Sequence, residues 1–116
     1  MTTANSVVAV GDVHTVVGRR NEVVELLSAT QDRVRREPGC LTYTFAEAVG
    51  EPGHYVVAQE WRDEAALEAH YSSQPLAEYL NRVGEFLTRP TQMRIHRVAE
   101  TLQPTDPGPM DPRRAD

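Results

Sequence analysis

The sequence predicts one α+β domain of the ferredoxin-like type, with four antiparallel strands and three helices in the order β-α-β-β-α-α-β. Three observations carry that prediction. Short runs rich in valine and aromatic residues occur at 6–14, 40–49 and 54–62, a composition that favours strands. Apolar residues at helical spacing separate the first run from the second and follow the third. Turn-forming EPG and GEPG segments punctuate the boundaries.

The elements follow in order. SVVAVGDVH, 6–14, is short and valine-rich, as suits a buried strand. In the next segment Val23, Leu26, Leu27, Thr30 and Val34 fall on one helical face. Glu37 precedes Pro38 and is pushed out of the helical region, so this helix is expected to end near Arg36. After Gly39, Leu41, Tyr43 and Phe45 alternate with Thr42, Thr44 and Ala46. The GEPG turn at 50–53 then joins this strand to 54–62 as a hairpin. Asp63 suits the N-cap of a short helix through about Tyr71. A further helix has Pro75 in its first turn and Leu76, Tyr79, Leu80, Val83 and Phe86 or Leu87 on one face, with Arg89 and Pro90 ending it. The partly alternating segment 91–102, with Met93, Ile95 and Val98, reads as the fourth strand. The domain spans 1–102. The remaining 103–116 holds four prolines and almost nothing apolar, and is expected to be disordered.

Composition narrows the function. The 116 residues are 40% hydrophobic and 25% charged, and no apolar run approaches the roughly 20 residues of a membrane helix. MTTANSVVAV lacks the basic flank and long apolar stretch of a signal peptide, so a cytoplasmic location is expected. A net charge of −5 argues against a nucleic-acid groove. All 12 basic residues are arginine, and without lysine there is no Schiff-base chemistry. Cys40 is the only cysteine, which excludes an intrachain disulfide and a four-cysteine zinc site. His14, His54 and His96 show no ligand spacing, so no metal site is expected. In the first strand Val8 and Val10 point to one side and Val7, Ala9 and Val13 to the other. Helices can cover only one of those faces, and a homodimer is the natural cover for the second.

The succession REPGCLTYTF, then VVAQEWRDEAALEAH, then a tyrosine before a Ser-Ser-Gln-Pro helix start resembles the antibiotic biosynthesis monooxygenase family of small dimeric α+β barrel proteins. The resemblance runs from about residue 6 to residue 99. It implies a cleft between helices and sheet in each subunit. It also implies oxidation of phenolic or quinol-type aromatic molecules by O2, with no metal, flavin or other cofactor. The wider superfamily includes haem-degrading enzymes and isomerases, and fold does not settle function. The haem-degrading branch is similar at Trp61 and His70 but carries an asparagine where this chain has Gly11.

Within that resemblance His70 is the candidate general base and Trp61 a flat wall with an N–H for a substrate or peroxide oxygen; the plainer readings are a core histidine and a core anchor. His70 shares the inward stripe of its helix with Leu67, and seven helical residues from Asp63 rise roughly 10 Å. The two rings are therefore expected to stand apart and frame a pocket wide enough for a fused aromatic ring. Tyr43, Tyr79 and Phe86 are candidate lining residues, with core packing as the alternative. Asp12, unusual in an apolar strand, is a candidate partner for His70 or an edge charge. Glu60 faces away from Trp61 and is expected to pair with Arg94 or Arg97. The function this suggests is a cofactor-independent monooxygenase of a polycyclic phenol or quinol. The alternatives are a non-oxidative isomerase or cyclase in the same cleft, or a dimer that binds an aromatic ligand without turnover.

Overall fold

The computed structural model describes residues 5–104, so the expectation for the tail lies almost wholly outside the described residues. The elements are β1 (Val7–His14), α1 (Arg20–Val34), β2 (Cys40–Glu47), β3 (His54–Trp61), α2 (Glu64–Tyr71), α3 (Gln74–Val83) and β4 (Gln92–Arg97), with a 3-10 turn at Val17–Arg19. The antiparallel sheet has the order β2-β3-β1-β4, and the helices lie on one of its faces. This is the ferredoxin-like α+β arrangement expected from the sequence.

Local chemistry explains the boundaries. The buried residues of α1 are Val23, Leu26, Leu27, Thr30 and Val34, the whole stripe that the spacing predicts. The helix ends at Val34 rather than Arg36 because the chain tightens into i→i+3 bonds: Arg36 N–H donates to Arg33 O at 3.2 Å and Glu37 N–H to Val34 O at 2.9 Å. Asp63 caps α2, its Oδ1 accepting from Ala66 N–H at 2.8 Å. Ser73 caps α3, with Pro75 in the first turn. That helix stops at Val83, before Gly84, so Phe86 lies beyond it. The fourth strand is shorter than expected, six residues, all of them exposed.

Residue parity divides the sheet. Val7, Ala9 and Val13 of β1 and Tyr55, Val57, Gln59 and Trp61 of β3 are buried beneath the helices. The core holds Val13, Leu26, Leu27, Tyr55 and Phe86 at one end and Val7, Val34, Val57, Trp61 and Leu67 at the other. Each such aliphatic side chain contributes about 1.5–3 kcal/mol by leaving water. The other face is mixed rather than apolar throughout. Val8, Val10 and Val56 alternate there with polar side chains, among them Asp12, whose Oδ1 accepts a 2.8 Å hydrogen bond from His54 Nε2. His14 and His54 are cross-strand partners on this face, with rings stacked at 4.3 Å. Arg94 approaches Asp12 at 4.0 Å and Arg97 pairs with Glu64, so the expected partners of Glu60 are engaged elsewhere.

The turn between α1 and β2 sets the position of α2. Gly39 has φ +82°, and its carbonyl accepts from Arg62 N–H at 2.8 Å, tying the turn to the end of β3. A Cβ at this position would stand 2.5 Å from Ala66 Cβ. Opposite this turn, Cys40 and Leu41 form a bulge where Cys40 pairs with Trp61 and Thr42 with Glu60. Gly39→Ala is therefore expected to cost at least about 1–2 kcal/mol from the left-handed conformation alone, read as a lower urea midpoint. An unchanged midpoint would show that the turn relaxes freely.

Candidate active site

One turn and two strands converge on His70. The imidazole sits on the inward face of α2, only 1% exposed. Its Nδ1 donates to the Glu37 carboxylate, at 3.1 Å to Oε1 and 3.3 Å to Oε2. Trp61, at the end of β3, is fully buried, and its indole stacks on the imidazole with centroids 4.8 Å apart and planes inclined by 28°. Trp61 Nε1 donates to Gln59 Oε1 at 2.9 Å. On another side Tyr43 meets the imidazole edge to face at 5.6 Å. His70 is thus fixed by an indole face, a carboxylate and a phenol edge, each from a different element.

This corrects the expected spacing of the two rings. Trp61 and His70 do not stand apart around a hollow; they touch. The helical rise separates their backbones, but the indole lies flat beneath α2 and spans the difference. With its N–H engaged by Gln59, Trp61 backs the histidine instead of presenting a polar handle to a ligand.

The open space lies on another side of the imidazole. A cleft of about 210 Å³ is lined by His70, Tyr43, Phe45, Tyr79, Leu80 and Met93, among others. It exists because α1 packs on β2 and α2 on β3, which leaves β4 bare. Met93 pairs across from Gly11, and a Cβ on Gly11 would come within 2.1 Å of Met93 Sδ. The missing side chain at residue 11 gives the methionine its place on the cleft floor.

The sequence candidates divide accordingly. His70, Tyr43 and Tyr79 border the cleft. Phe86 does not: it is buried at the far end of the core under the Arg19 guanidinium, 4.4 Å from its centroid. Asp12 lies on the opposite face of the sheet, bonded to His54, and cannot orient His70. Leu80, expected to be buried, is 59% exposed at the cleft mouth, where no element among the described residues covers that side of α3. Sequence reasoning missed Glu37 and Gln59. The signal for Glu37 was a carboxylate next to a Pro-Gly turn, but only the pairing of Cys40 with Trp61 brings that turn to α2.

The electrostatics suit proton acceptance. Burial pulls the pKa of His70 below the ordinary histidine value of 6.5, and the charge and hydrogen bond of Glu37 oppose this without reversing it. The imidazole is then neutral near pH 7. A carboxylate can only accept, so the ring proton resides on Nδ1 and Nε2 is the nitrogen left for a ligand. Burial raises the Tyr43 phenol and pushes Tyr79 up to about 12, so both remain protonated donors. Burial also raises the Cys40 thiol, which does not favour the thiolate. Among the described residues no three His, Cys, Asp or Glu side chains converge to hold a metal ion, and no helix is long and apolar enough to cross a membrane.

Known proteins share this framework. A Synechocystis protein of uncharacterised function, sll1783, is 27% identical over 95 residues; the match covers 82% of this chain and 65% of that protein's length. A Mycobacterium tuberculosis protein named "Putative monooxygenase Rv0793" is 33% identical over 76 residues, 66% of this chain and 74% of its own. Its solved structure superposes with a TM-score of 0.72 over 90% of this chain and 99% of that one, at 28% identity. A conserved protein from Methanosarcina mazei has the same fold, with a TM-score of 0.76 at 22% identity over 82% of this chain and 94% of its own. The family model described as antibiotic biosynthesis monooxygenase matches residues 6–82, about two thirds of the chain, and the chain belongs to that family.

Proposed function

We propose that this protein is a cofactor-independent monooxygenase that oxidises a phenolic or quinol-type aromatic molecule with O2, using His70 as general base. The observation that carries the reading is a buried imidazole, bonded at Nδ1 to Glu37, on the wall of a largely apolar cleft where burial favours its neutral form. Nε2 takes the phenolic proton. The resulting phenolate donates electrons to O2 far more readily than the phenol does, and the negative charge it carries is offset by the new imidazolium beside Glu37. One oxygen atom becomes a new C=O on the ring as a C–H bond there breaks, and the other leaves as water with two hydrogens of the substrate. The product is a quinone, and the substrate supplies all the electrons that reduce O2. Tyr43 and Tyr79, both protonated, serve as hydrogen-bond donors to the substrate, and Trp61 holds the imidazole in place by stacking. Gly11 has no side chain where the haem-degrading branch carries an asparagine, and the end of Met93 occupies the space beside it, which supports the phenol reading over haem degradation.

The protein acts as a homodimer in this reading. Val8, Val10, Val56 and Ala58 form an apolar strip on the face that no helix among the described residues covers. A second copy is the simplest cover, with the polar groups of that face at its rim. Light scattering at micromolar concentration is expected to give twice the chain mass, and a monomeric mass would contradict the pairing.

Oxygen uptake with an anthrone- or naphthol-type substrate tests the chemistry. His70→Ala is expected to slow turnover by at least about a hundredfold, the usual weight of a general base, with the circular dichroism of the fold retained. A base works only when unprotonated, so kcat/KM should rise with pH through a value below 6.5 and stay level at pH 7 and above. Glu37 opposes the depression of the His70 pKa, so Glu37→Gln should move this acid limb lower still, while slowing the plateau rate through lost orientation. Full activity of His70→Ala would remove the base, and conversion without oxygen would favour an isomerase or cyclase.

A further inference from the structure

A second, larger hollow lies beside the cleft at His70. This outer chamber, of about 550 Å³, runs between α2 and β4 and is lined by Glu64, Leu67, Glu68, Tyr71, Ile95 and Arg97 among others. Tyr71 lines both spaces. The inner chamber alone, at about 210 Å³, falls below the roughly 300–1,000 Å³ of small-molecule sites, whereas the two together lie within that range. Their chemistry differs. The inner space is walled by aromatic and aliphatic side chains; the outer one has an apolar floor of Leu67 and Ile95 and a charged rim. At that rim Arg97 is paired with Glu64, and these charges cancel. Glu68 has no ion-pair partner among the described residues and gives the rim its negative character. Tyr71 and Ile95 are each about half exposed here, as is common for apolar side chains at the mouth of a ligand groove.

We infer that the substrate is an elongated two-part molecule, with a phenolic ring system in the inner chamber and a neutral hydroxylated or amine-bearing arm along the outer one, and that Glu68 selects against an acidic arm. The inference rests on the cleft being the substrate site as proposed above. An aromatic head without an arm fills only the smaller chamber and leaves the Leu67 and Ile95 floor in water. An arm covers that floor and brings its polar end to Glu68, where an ammonium or hydroxyl group donates to the carboxylate and a second carboxylate is repelled.

Calorimetric titration of the full chain with 2-naphthol and with three 6-substituted 2-naphthols, bearing aminoethyl, hydroxyethyl or carboxyethyl arms, tests this directly. The amine and hydroxyl probes are expected to bind about tenfold or more tightly than bare 2-naphthol, and the carboxylate probe no more tightly than it. Glu68→Gln should narrow the gap between the amine and carboxylate probes. Equal affinity for all four probes, tighter binding of the carboxylate, a gap unchanged in Glu68→Gln, or no binding by any armed probe would each overturn the inference. Oxygen uptake measured with the same compounds keeps the two readings apart. Arm-dependent binding with no uptake removes the monooxygenase and leaves the two-part site, whereas uptake that ignores the arm does the reverse.

Discussion

The hydrogen bond between Glu37 and His70, backed by the indole of Trp61, ties together three parts of the chain that the fold would otherwise leave loosely related. Glu37 stands in the turn after α1, His70 on α2 and Trp61 at the end of β3. An imidazole sealed from water by aromatic rings loses hydration, which favours its neutral form. The carboxylate at Nδ1 compensates the buried N–H and fixes which nitrogen carries the proton. The ring gains a defined orientation on the wall of the cleft, with its proton on Nδ1. The same contacts form part of the core, so the structural and chemical readings of this histidine describe one arrangement.

Several devices keep this assembly in register. Gly39 allows the α1–β2 turn to approach Ala66 closely and hand its carbonyl to Arg62, which brings Glu37 within reach of α2. The bulge at Cys40 and Leu41 directs Cys40 inward beside the helix-side core. The Asp63 cap starts α2 at the point that places His70 over Trp61. At the opposite edge, the helices stop short of β4, and the uncovered strand becomes one wall of the cleft. The hollow arises from incomplete coverage of the sheet, not from a cavity within the core.

Much of the framework was legible in the sequence because its signals are local. The stripe from Val23 to Val34, the caps at Asp63 and Ser73, and the GEPG hairpin depend on spacing and on single residues, and the structure follows them. The inward placement of His70 was readable from its spacing to Leu67. The contact between His70 and Trp61 was not, because a rise counted along a helix axis omits how far a large indole reaches sideways. Glu37 was hidden for a different reason: 33 residues separate it from His70, and only the register of β2 with β3 joins them. Asp12 and Phe86 attract notice by composition, yet strand parity sends one to the far face, and the end of α3 at Val83 leaves the other in the far core.

The protonation state of the His70 ring is where fold and chemistry meet, and it can be read without any substrate. Long-range proton–nitrogen correlation spectra of the 15N-labelled protein at pH 7.5 distinguish the two neutral tautomers from the imidazolium. The predicted result is a neutral ring with the proton on Nδ1 and a bare Nε2, reverting to a mixture of tautomers in Glu37→Gln. A ring protonated on Nε2, or an imidazolium at that pH, would contradict the assignment of His70 as the base.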